Sequence, residues 1–489
     1  MYYTTSFEKC QPIVKIRSIQ WHCTDLQGVN GCGIIKEKGV FCMKITADFN
    51  KITGKIKPMH GVGQPPYYES GKHMHYLAEA GIPYSRLHDV GGPYGGGKFV
   101  DIHNIFRDFD ADETLPESYD FAFTDELITS LIENNVMPFF RLGETIENNY
   151  ETKAYCIYPP KDFEKWARIC EHIIRHYNEG WANGFHYGIE YWEIWNEPEG
   201  HKHGQHGPMW IGTKEEYFRL YEVTSNHLKK CFGDTIKIGG YSTCDFSMKN
   251  AFYEDTQCAG LKGPYDNNAQ YHVQYMHDFF KYITSEEHKS PIDYFSWHTY
   301  SGVGIALDAA DYLRRVMEKY GFGDLEACLT EWNTDFDVKT NHTPYAAAKA
   351  LAMMLGMQKK RVDMLCYYDA RMGNSQYGGL FNGLERKPFL TYFAFMMFND
   401  AYKLENEVET ASDNNDIFVM GAKKDNRAVL IISNVGDKTE ANLDLSGVDL
   451  NGAEVLIIDD VYHYSPTGID ISDGKLTIPE KSCVEIRFY

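Results

Sequence analysis

The stretch "YWEIWNEPEG", residues 191–200, joins two patterns that seldom meet in one segment. Two tryptophans and an isoleucine in its first half are typical of a buried β-strand. The strand then runs directly into Asn196, Glu197 and Pro198. Glutamate is depleted from strands and proline ends them, so we expect the strand to stop there. A buried strand that ends in a carboxylate beside an amide predicts a polar side chain presented rigidly at the edge of a sheet.

Seven more short apolar runs of this kind occur between residues 56 and 401, with helical periods between them. The eight runs are "MHGVGQ", "YSRLHDV", "MPFFRLGE", "YWEIWNE", "IKIGGYS", "YFSWHTY", "CLTEWN" and "MLCYYDA". One intervening helix carries Phe163, Trp166, Cys170 and Tyr177 on one face,. Eight strand–helix units in succession predict the α/β class and a (β/α)8 TIM barrel over residues 56–401.

The two ends of the chain follow a different pattern, with short strands and polar turns. After about residue 402 the helical period disappears, and "DIFVMGAKKDNRAVLIISNVG" and "KSCVEIRFY" alternate with turns such as "SPTG",. These features predict an accessory antiparallel β-sandwich over residues 402–489. Residues 1–55 also contain short strands. Because chain ends often lie close together, we expect these strands to join that sandwich.

The composition excludes several classes of function. The chain has 489 residues, with 48 Lys and Arg against 69 Asp and Glu, which gives a net charge of −21. Basic runs are no longer than "KK" and "KKR", so we expect no nucleic-acid partner,. Aromatic residues make up 15% of the chain. Such rings serve cores and interfaces, and they also suit stacking against sugars.

Cysteine usage and the N-terminal sequence predict a cytoplasmic protein. The 12 cysteines are unevenly spaced and form no CxxC pair, which indicates reduced thiols and no zinc ribbon,. The first residues lack a basic segment followed by an apolar one, as a signal peptide would need,. No apolar run reaches the length of about 18 residues that a membrane span requires, so we expect no membrane partner.

In a barrel of this kind the active site lies at the carboxyl ends of the strands. The residues at those ends are Arg86, His88, Asp89, Asn196, Glu197, Trp297, His298, Tyr300, Glu331, Trp332, Asn333, Tyr367, Tyr368 and Asp369. Glu197 follows the fourth strand and Glu331 the seventh, so the two carboxylates face each other across the barrel mouth. Two carboxylates that flank one bond are the requirement of glycoside hydrolysis.

The surroundings predict a different role for each glutamate. A buried strand end raises the pKa of Glu197, which suits a general acid near neutral pH. Asn196 beside it can hydrogen-bond a sugar hydroxyl. Glu331 has to stay ionised to act as a nucleophile, and Arg86 and Tyr300 can donate hydrogen bonds that keep it so. For a retaining mechanism the two carboxyl groups should lie about 5–5.5 Å apart, against roughly 6.5–9.5 Å for an inverting one.

Taken together, "EIWNEPE" and "LTEWN" resemble the paired signatures of glycoside hydrolase family 39, a family of the retaining clan A. "RLHD" on the second strand and "SWHTY" on the sixth are similar to that family's pattern as well. The resemblance covers roughly residues 56–489. Asn-Glu-Pro alone recurs across the clan, whereas its combination with Thr-Glu-Trp-Asn is specific. The chain departs from the simple pattern in its long second loop, residues 91–121, and in a histidine-bearing fourth loop, which leaves the sugar open.

The resemblance implies that Glu197 is the acid/base and Glu331 the nucleophile. By position it also implies substrate contacts from His88, Asn196 and Tyr300. We further expect Arg86, His298 and Trp332 to bind substrate, although a packing role for Trp332 and a structural role for His298 stay open. We expect neither an organic cofactor nor a metal to take part.

Several functions remain open on the sequence alone. Members of the family include β-xylosidases and α-L-iduronidases, and our first expectation is a retaining exo-glycosidase that removes a terminal β-xylosyl or related residue. The same chemistry also fits an α-L-arabinofuranosidase, a β-glucosidase or a β-galactosidase. A non-catalytic glycan-binding protein with a relic barrel is a third reading, and retention of both glutamates argues against it. The expected partner is a carbohydrate substrate, and a homo-oligomer stays open.

Overall fold

A computed structural model describes residues 43–67, 71–90, 99–146, 156–200, 207, 209–244, 268–334, 339–373, 375 and 377–489. Its centre is a closed barrel of eight parallel strands, which follow one another in chain order until the eighth pairs with the first. The strands are β2 (Gly61–Gly63), β3 (Tyr84–Leu87), β4 (Met137–Leu142), β5 (Tyr191–Ile194), β6 (Lys237–Thr243), β7 (Tyr294–Thr299), β8 (Glu326–Trp332) and β9 (Met364–Tyr367). Each of the eight predicted runs overlaps one of them, so the barrel prediction is confirmed.

Helices surround the barrel and connect its strands. They are α1 (His75–Glu79), α2 (Ile102–Ile105), α3 (Ala122–Glu133), α4 (Phe163–Glu179), α5 (Lys214–Phe232), α6 (Asn268–Thr284), α7 (Val303–Lys319), α8 (Pro344–Gln358) and α9 (Leu390–Tyr402). A short hairpin of β10 (Phe381–Asn382) and β11 (Lys387–Pro388) precedes α9. Among the helices of the described residues, none combines the length and the apolar character needed to cross a membrane.

A nine-stranded, mostly antiparallel sheet forms the accessory part. Its strands are β1 (Met43–Lys55), β12 (Asn406–Ser412), β13 (Ile417–Lys424), β14 (Arg427–Asn434), β15 (Thr439–Ser446), β16 (Glu454–Ile458), β17 (His463–Pro466), β18 (Lys475–Ile478) and β19 (Ser482–Phe488). β1 pairs antiparallel with β12 and parallel with β15, so it lies inside the sheet. The remaining residues of the predicted N-terminal segment, 1–42, lie outside the described residues.

The sheet curls on itself and encloses a core of its own. Phe49 on β1 and Phe488 on β19 are separated by three strands in the sheet order, yet their ring centroids are only 5.4 Å apart. Alternate residues of the strands, among them Ile45, Leu430 and Ile486, fill this inner core. The prediction of an antiparallel sandwich-like domain is therefore confirmed, as a curled sheet.

The packing of the barrel interior determines where the polar residues gather. A plug of large side chains closes the amino end of the barrel. Its members are Phe139, Tyr191, Tyr294, Cys328, Met364 and Cys366. Strand side chains point inward in layers, so the next inward positions lie one layer closer to the carboxyl rim. These positions hold Arg86 and Glu193, which are buried and charged. The polar layer above the plug is the floor of the site described next.

Candidate active site

A sharp turn after β5 fixes Glu197 at the carboxyl rim of the barrel. Trp195 and Glu197 have positive φ angles of 72° and 44°, a region that non-glycine residues seldom adopt. The backbone N–H of Glu197 donates to the carbonyl oxygen of Ser242 on β6 over 3.0 Å. The neighbouring strand therefore holds the turn that presents the Glu197 carboxylate.

Glu331 lies at the corresponding end of β8 and accepts two strong hydrogen bonds. Nη1 of Arg86 donates to its Oε1 over 2.7 Å, and the hydroxyl of Tyr300 donates to its Oε2 over 2.6 Å. The Glu331 side chain is only 6% exposed. A guanidinium and a hydroxyl in these positions stabilise the ionised form of the carboxylate.

His298 brings the two glutamates into one site. An oxygen of Glu197, a ring nitrogen of His298 and an oxygen of Glu331 all lie within 4.8 Å of one another. Nδ1 of His298 is 2.6 Å from Oε1 of Glu197 and 3.7 Å from Oε2 of Glu331. The imidazole is 0% exposed, so it orients the glutamates from within the barrel.

Arg86 holds four polar side chains in the buried layer. Beyond its bond to Glu331, its Nε donates to Glu193 over 2.8 Å. Its Nη2 donates to Oδ1 of Asn196 over 2.6 Å and to the hydroxyl of Ser242 over 2.7 Å. Because every nitrogen of this guanidinium has a protein acceptor, Arg86 acts by fixing the geometry of the site.

His88 lies beside this layer and is held from both sides. Its Nδ1 accepts a hydrogen bond from Nε of Arg141 over 3.2 Å, and its Nε2 is 3.2 Å from Oδ1 of Asp89. Arg141 is itself paired with Asp101 at 2.7 Å. Burial lowers the pKa of His88 well below its ordinary value, and the nearby Arg141 lowers it further. The ring is therefore a neutral, oriented hydrogen-bonding group.

Trp332 takes the packing role that the sequence left open beside substrate binding. Its ring is 0% exposed and lies parallel to Phe395 of α9, with Tyr367 at its edge. Successive side chains of a strand point to opposite faces, so if Glu331 points into the barrel, Trp332 must point out of it. Trp332 belongs to the core between the barrel and α9.

The remaining substrate contacts expected from the sequence differ in exposure. Asn196 is buried beside Glu197, and the half-buried Tyr300 ring stacks on Tyr377 with centroids 5.2 Å apart. His298 is completely enclosed and contacts Glu197 and Ser242. His298 and Tyr300 thus each contact a catalytic carboxylate directly, whereas Asn196 is joined to Glu331 through Arg86.

The protein environment shifts the pKa values of the titratable groups in the site to different extents. Burial raises the pKa of Glu197 to about 7, against the opposing charge of Arg86. Burial also raises the pKa of Glu331, while Arg86 and the Tyr300 hydroxyl oppose the shift. Burial lowers the pKa of His298 to about 4, so its imidazole is neutral at neutral pH. Glu197 can therefore exchange a proton near pH 7.

Two residues of the site were not singled out from the sequence. Ser242, at the end of β6, contacts Arg86 and His298 through its hydroxyl. Glu199 accepts hydrogen bonds from Oγ1 of Thr243 over 2.6 Å and from the backbone N–H of Cys244 over 2.7 Å. It is 2% exposed, and burial raises its pKa to about 8. Glu199 lies in the turn that follows β5, a position that could have identified it, whereas Ser242 lies within β6 and carries no local signal.

Glu197, His298 and Glu331 are of the types that bind metal ions, and their ligand atoms are close together. The guanidinium of Arg86 lies 2.7 Å from Oε1 of Glu331 and already supplies a positive charge there. A second cation at this place would be repelled by it. The arrangement suits acid–base and nucleophilic chemistry between two carboxyl groups.

Two curated proteins are similar in sequence to this chain. A curated β-xylosidase from Geobacillus stearothermophilus is 25% identical over 62% of this chain, and the chain spans 61% of that relative's length. A β-xylosidase from Caldicellulosiruptor saccharolyticus is 23% identical over 78% of the chain and 73% of its own length.

Solved structures share the fold. A glucosidase from Croceicoccus marinus superposes with a TM-score of 0.70 at 17% identity, over 91% of this chain and 98% of its own. A monomeric β-xylosidase from Caulobacter crescentus gives 0.62 at 15% identity, over 91% and 99%. The family model for glycosyl hydrolases family 39 matches residues 72–462, well over half of the chain. The chain therefore belongs to glycosyl hydrolase family 39 and is a glycoside hydrolase.

Proposed function

We propose that the protein is a retaining exo-glycosidase that releases a terminal β-xylosyl residue from oligosaccharides or plant glycosides. The observation that carries the proposal is the approach of a Glu197 oxygen to a Glu331 oxygen within 4.8 Å. Retaining pairs are about 5–5.5 Å apart, whereas inverting pairs need roughly 6.5–9.5 Å to admit a water. The close approach favours direct attack by one carboxylate.

The surroundings of the two glutamates support their different roles, with Glu331 as the nucleophile and Glu197 as the acid/base. Glu331 accepts hydrogen bonds from Arg86 and Tyr300, so it stays ionised and attacks the anomeric carbon,. Glu197, with a pKa near 7, protonates the leaving oxygen as the glycosidic bond breaks,. In the second step Glu197 removes a proton from water, which then displaces the sugar from Glu331.

The choice of sugar rests on the relatives. Two curated relatives are named β-xylosidases, and two solved neighbours carry the same name. Other solved neighbours are a glucosidase and an α-L-arabinofuranosidase.

A panel of nitrophenyl glycosides tests the proposal: the β-D-xyloside should have the highest kcat/KM. Preference for the β-glucoside, β-galactoside or α-L-arabinofuranoside would replace the sugar and leave the chemistry unchanged. Binding without turnover of any of them would contradict hydrolysis.

The two catalytic roles can be separated by kinetics. Glu331→Ala removes the nucleophile, so turnover of every substrate should fall. Glu197→Ala removes only the proton donor, so a dinitrophenyl xyloside should still glycosylate Glu331 and the intermediate should accumulate. The loss with poor leaving groups should be on the order of 10²–10⁴-fold or more. Azide should rescue Glu197→Ala with retained configuration, but should give Glu331→Ala only the inverted product.

A matched control is available on β8 itself. Glu326 occupies the amino end of that strand, where it pairs with Lys237 at 2.7 Å, far from the catalytic rim. Glu326→Ala should leave kcat/KM within a few-fold of the wild type. If Glu197→Ala and Glu331→Ala respond alike to activated substrates and to azide, or if their responses are exchanged, the assignment of roles is wrong.

A further inference from the structure

We propose that His103, Glu144 and Cys156 form a binding site for one zinc ion, which ties α2 to the segment that connects β4 with α4. The site is separate from the catalytic carboxylates and takes no part in hydrolysis. Its residues follow the barrel strands β3 and β4 along the chain.

The three side chains come from three separate segments of the chain. His103 lies on α2, Glu144 follows β4 directly, and Cys156 precedes α4. One ligand atom from each lies within 4.8 Å of the other two. Glu144 is 4% exposed, while His103 and Cys156 are partly exposed. The cluster is therefore built on a buried carboxylate and remains open to ions on one side.

The donor set matches the preference of zinc. Zinc binds imidazole nitrogen and carboxylate oxygen at about 2.0–2.2 Å and thiolate sulfur at about 2.3 Å, in tetrahedral geometry. Tetrahedral ligand atoms at those lengths lie roughly 3.3–3.8 Å from one another. Nδ1 of His103 now hydrogen-bonds Oε2 of Glu144, and the thiol of Cys156 hydrogen-bonds His103. Small side-chain shifts would replace these hydrogen bonds by bonds to the metal.

The local charge favours a cation. Oε1 of the buried Glu144 accepts a hydrogen bond from the backbone N–H of His103 over 3.2 Å, and its Oε2 contacts the His103 ring. The buried carboxylate therefore presents its negative charge to the cluster. Arg141 is a neighbouring cation, and Asp101 pairs with it at 2.7 Å. With both Glu144 and Cys156 ionised, a divalent ion leaves the cluster neutral.

A second cluster of the same three residue types is less suited to zinc than the cluster of His103, Glu144 and Cys156. Glu171, His227 and Cys231 also place their ligand atoms within 4.8 Å of one another, between α4 and α5. There Nε of Arg175 donates to Oε1 of Glu171 over 2.8 Å, and Nε2 of His227 is 2.6 Å from its Oε2. A guanidinium already satisfies this carboxylate, and its charge repels a cation. This cluster serves as a control with matched chemistry.

The test measures zinc bound to the intact protein. The wild type, Cys156→Ser and His103→Gln are dialysed against zinc and then against metal-free buffer, and bound zinc is measured by mass spectrometry. The wild type should retain about one zinc per chain, and each variant at least tenfold less. His227→Gln and Cys231→Ser should retain as much as the wild type. Turnover of a nitrophenyl glycoside verifies that each variant is folded.

Cobalt gives an independent readout of the ligands. When Co²⁺ replaces zinc, a thiolate ligand produces a ligand-to-metal charge-transfer band in the near ultraviolet. The wild type and Cys231→Ser should show this band, and Cys156→Ser should lose it. The proposal is overturned if the wild type retains no zinc, if Cys156→Ser retains as much as the wild type, or if only the variants of the second cluster lose zinc.

Discussion

A directed chain of hydrogen bonds explains how a neutral histidine serves Glu197. Nη2 of Arg86 can only donate, so the hydroxyl oxygen of Ser242 accepts from it over 2.7 Å,. The hydroxyl hydrogen can then reach Nε2 of His298 at 2.7 Å or Oγ1 of Thr330 at 3.3 Å. The shorter contact makes Nε2 the acceptor and leaves the ring proton on Nδ1. His298 therefore donates to the Glu197 carboxylate and stabilises its ionised form.

The pKa of Glu197 predicts the pH dependence of the reaction. As a general acid Glu197 has to be protonated, so kcat/KM for a nitrophenyl glycoside should fall as the pH rises through about 7,. Glu331 has to be ionised, so activity should also fall on the acid side. A dinitrophenyl glycoside needs no protonation of its leaving group. Its kcat/KM should keep the acid limb and largely lose the alkaline one. An alkaline limb of equal size for both substrates would contradict the role of Glu197.

Removing the His298 imidazole, which donates a hydrogen bond to Glu197, should shift the alkaline limb of the pH–activity profile to higher pH. In His298→Phe the ionised carboxylate of Glu197 loses a hydrogen bond, so its pKa rises and the enzyme keeps its acid to higher pH. A hydrogen bond to a charged group contributes about 1.5–3 kcal/mol, so we expect a shift of roughly one pH unit or more. Tyr300→Phe is the control, because the Tyr300 hydroxyl donates to Glu331. Its loss should raise the pKa of Glu331, so the acid limb should move to higher pH and the alkaline limb should stay where it is. A downward shift in His298→Phe would show that the ring accepts from Glu197.

The sequence allowed prediction of residues whose chemistry is tied to a local motif, and it missed those that act across the fold. Glu197 and Glu331 each follow an apolar strand, and their side chains meet at the rim as expected. Ser242 carries no local signal, because its partners Arg86 and His298 are more than fifty residues away in either direction. A hydroxyl that connects two distant side chains becomes visible only when the strands are placed side by side.

At the level of single elements, periodicity predicted the strands well and their side-chain directions less well. The long α4 buries Trp166, Cys170 and Tyr177 on the predicted face. In β8 the acidic and aromatic residues of "TEW" were both expected at the mouth, although a strand sends neighbours to opposite sides. The loops after the strands have no such period, so neither α2 nor the position of Cys156 beside it could be predicted.

The close packing of β6 against β7 makes one glycine indispensable. Gly239 pairs with Tyr294, and a Cβ on Gly239 would lie 2.3 Å from the Tyr294 carbonyl oxygen and 2.6 Å from its ring. Gly239→Ala should therefore lower the free energy of unfolding by about 1–3 kcal/mol or more. Gly304 in α7 has no atom within 4 Å of the corresponding position. Gly304→Ala should be neutral or stabilise by up to about 1 kcal/mol. Chemical denaturation measures both, and equal effects would refute the steric explanation.

At the level of the whole molecule, α8 joins the barrel to the sheet. Its residues from Ala347 to Gln358 are buried on every side, because the barrel covers one face and the curled sheet the other. The hydroxyl of Ser433 on β14 donates to the carbonyl oxygen of Ala348 over 2.6 Å. The sequence "AAAKALAMMLGMQ" shows a helix that is apolar all round, which indicates burial. It does not show what covers the second face, so the junction could not be predicted although both parts were.

Two neighbouring residues of β14 test whether the barrel and the sheet unfold together. Ile431 lies on the same face of β14 as Ser433, which contacts α8, and belongs to the core shared with the barrel. Ile432 faces the inner core of the sheet, and both are fully buried. Each substitution by alanine removes the same atoms and should destabilise the protein by about 2–5 kcal/mol. If the shared core couples the two parts, both variants unfold in one transition, and loss of activity coincides with loss of secondary structure.

For a chain of this length the melting temperature should fall by roughly 1 °C per kcal/mol in both variants. Two separate unfolding transitions in only one of the two variants would contradict this coupling. If Ile432→Ala melts in two steps and stays active after the first, the sheet unfolds alone, and the packing of Ile431 in the shared core does not couple it to the catalytic barrel. If only Ile431→Ala separates the transitions, the coupling resides in that contact. If both variants unfold in one shared transition, the sheet holds α8, the helix that follows Glu331, in place. The stability of the accessory sheet then supports the position of the nucleophile.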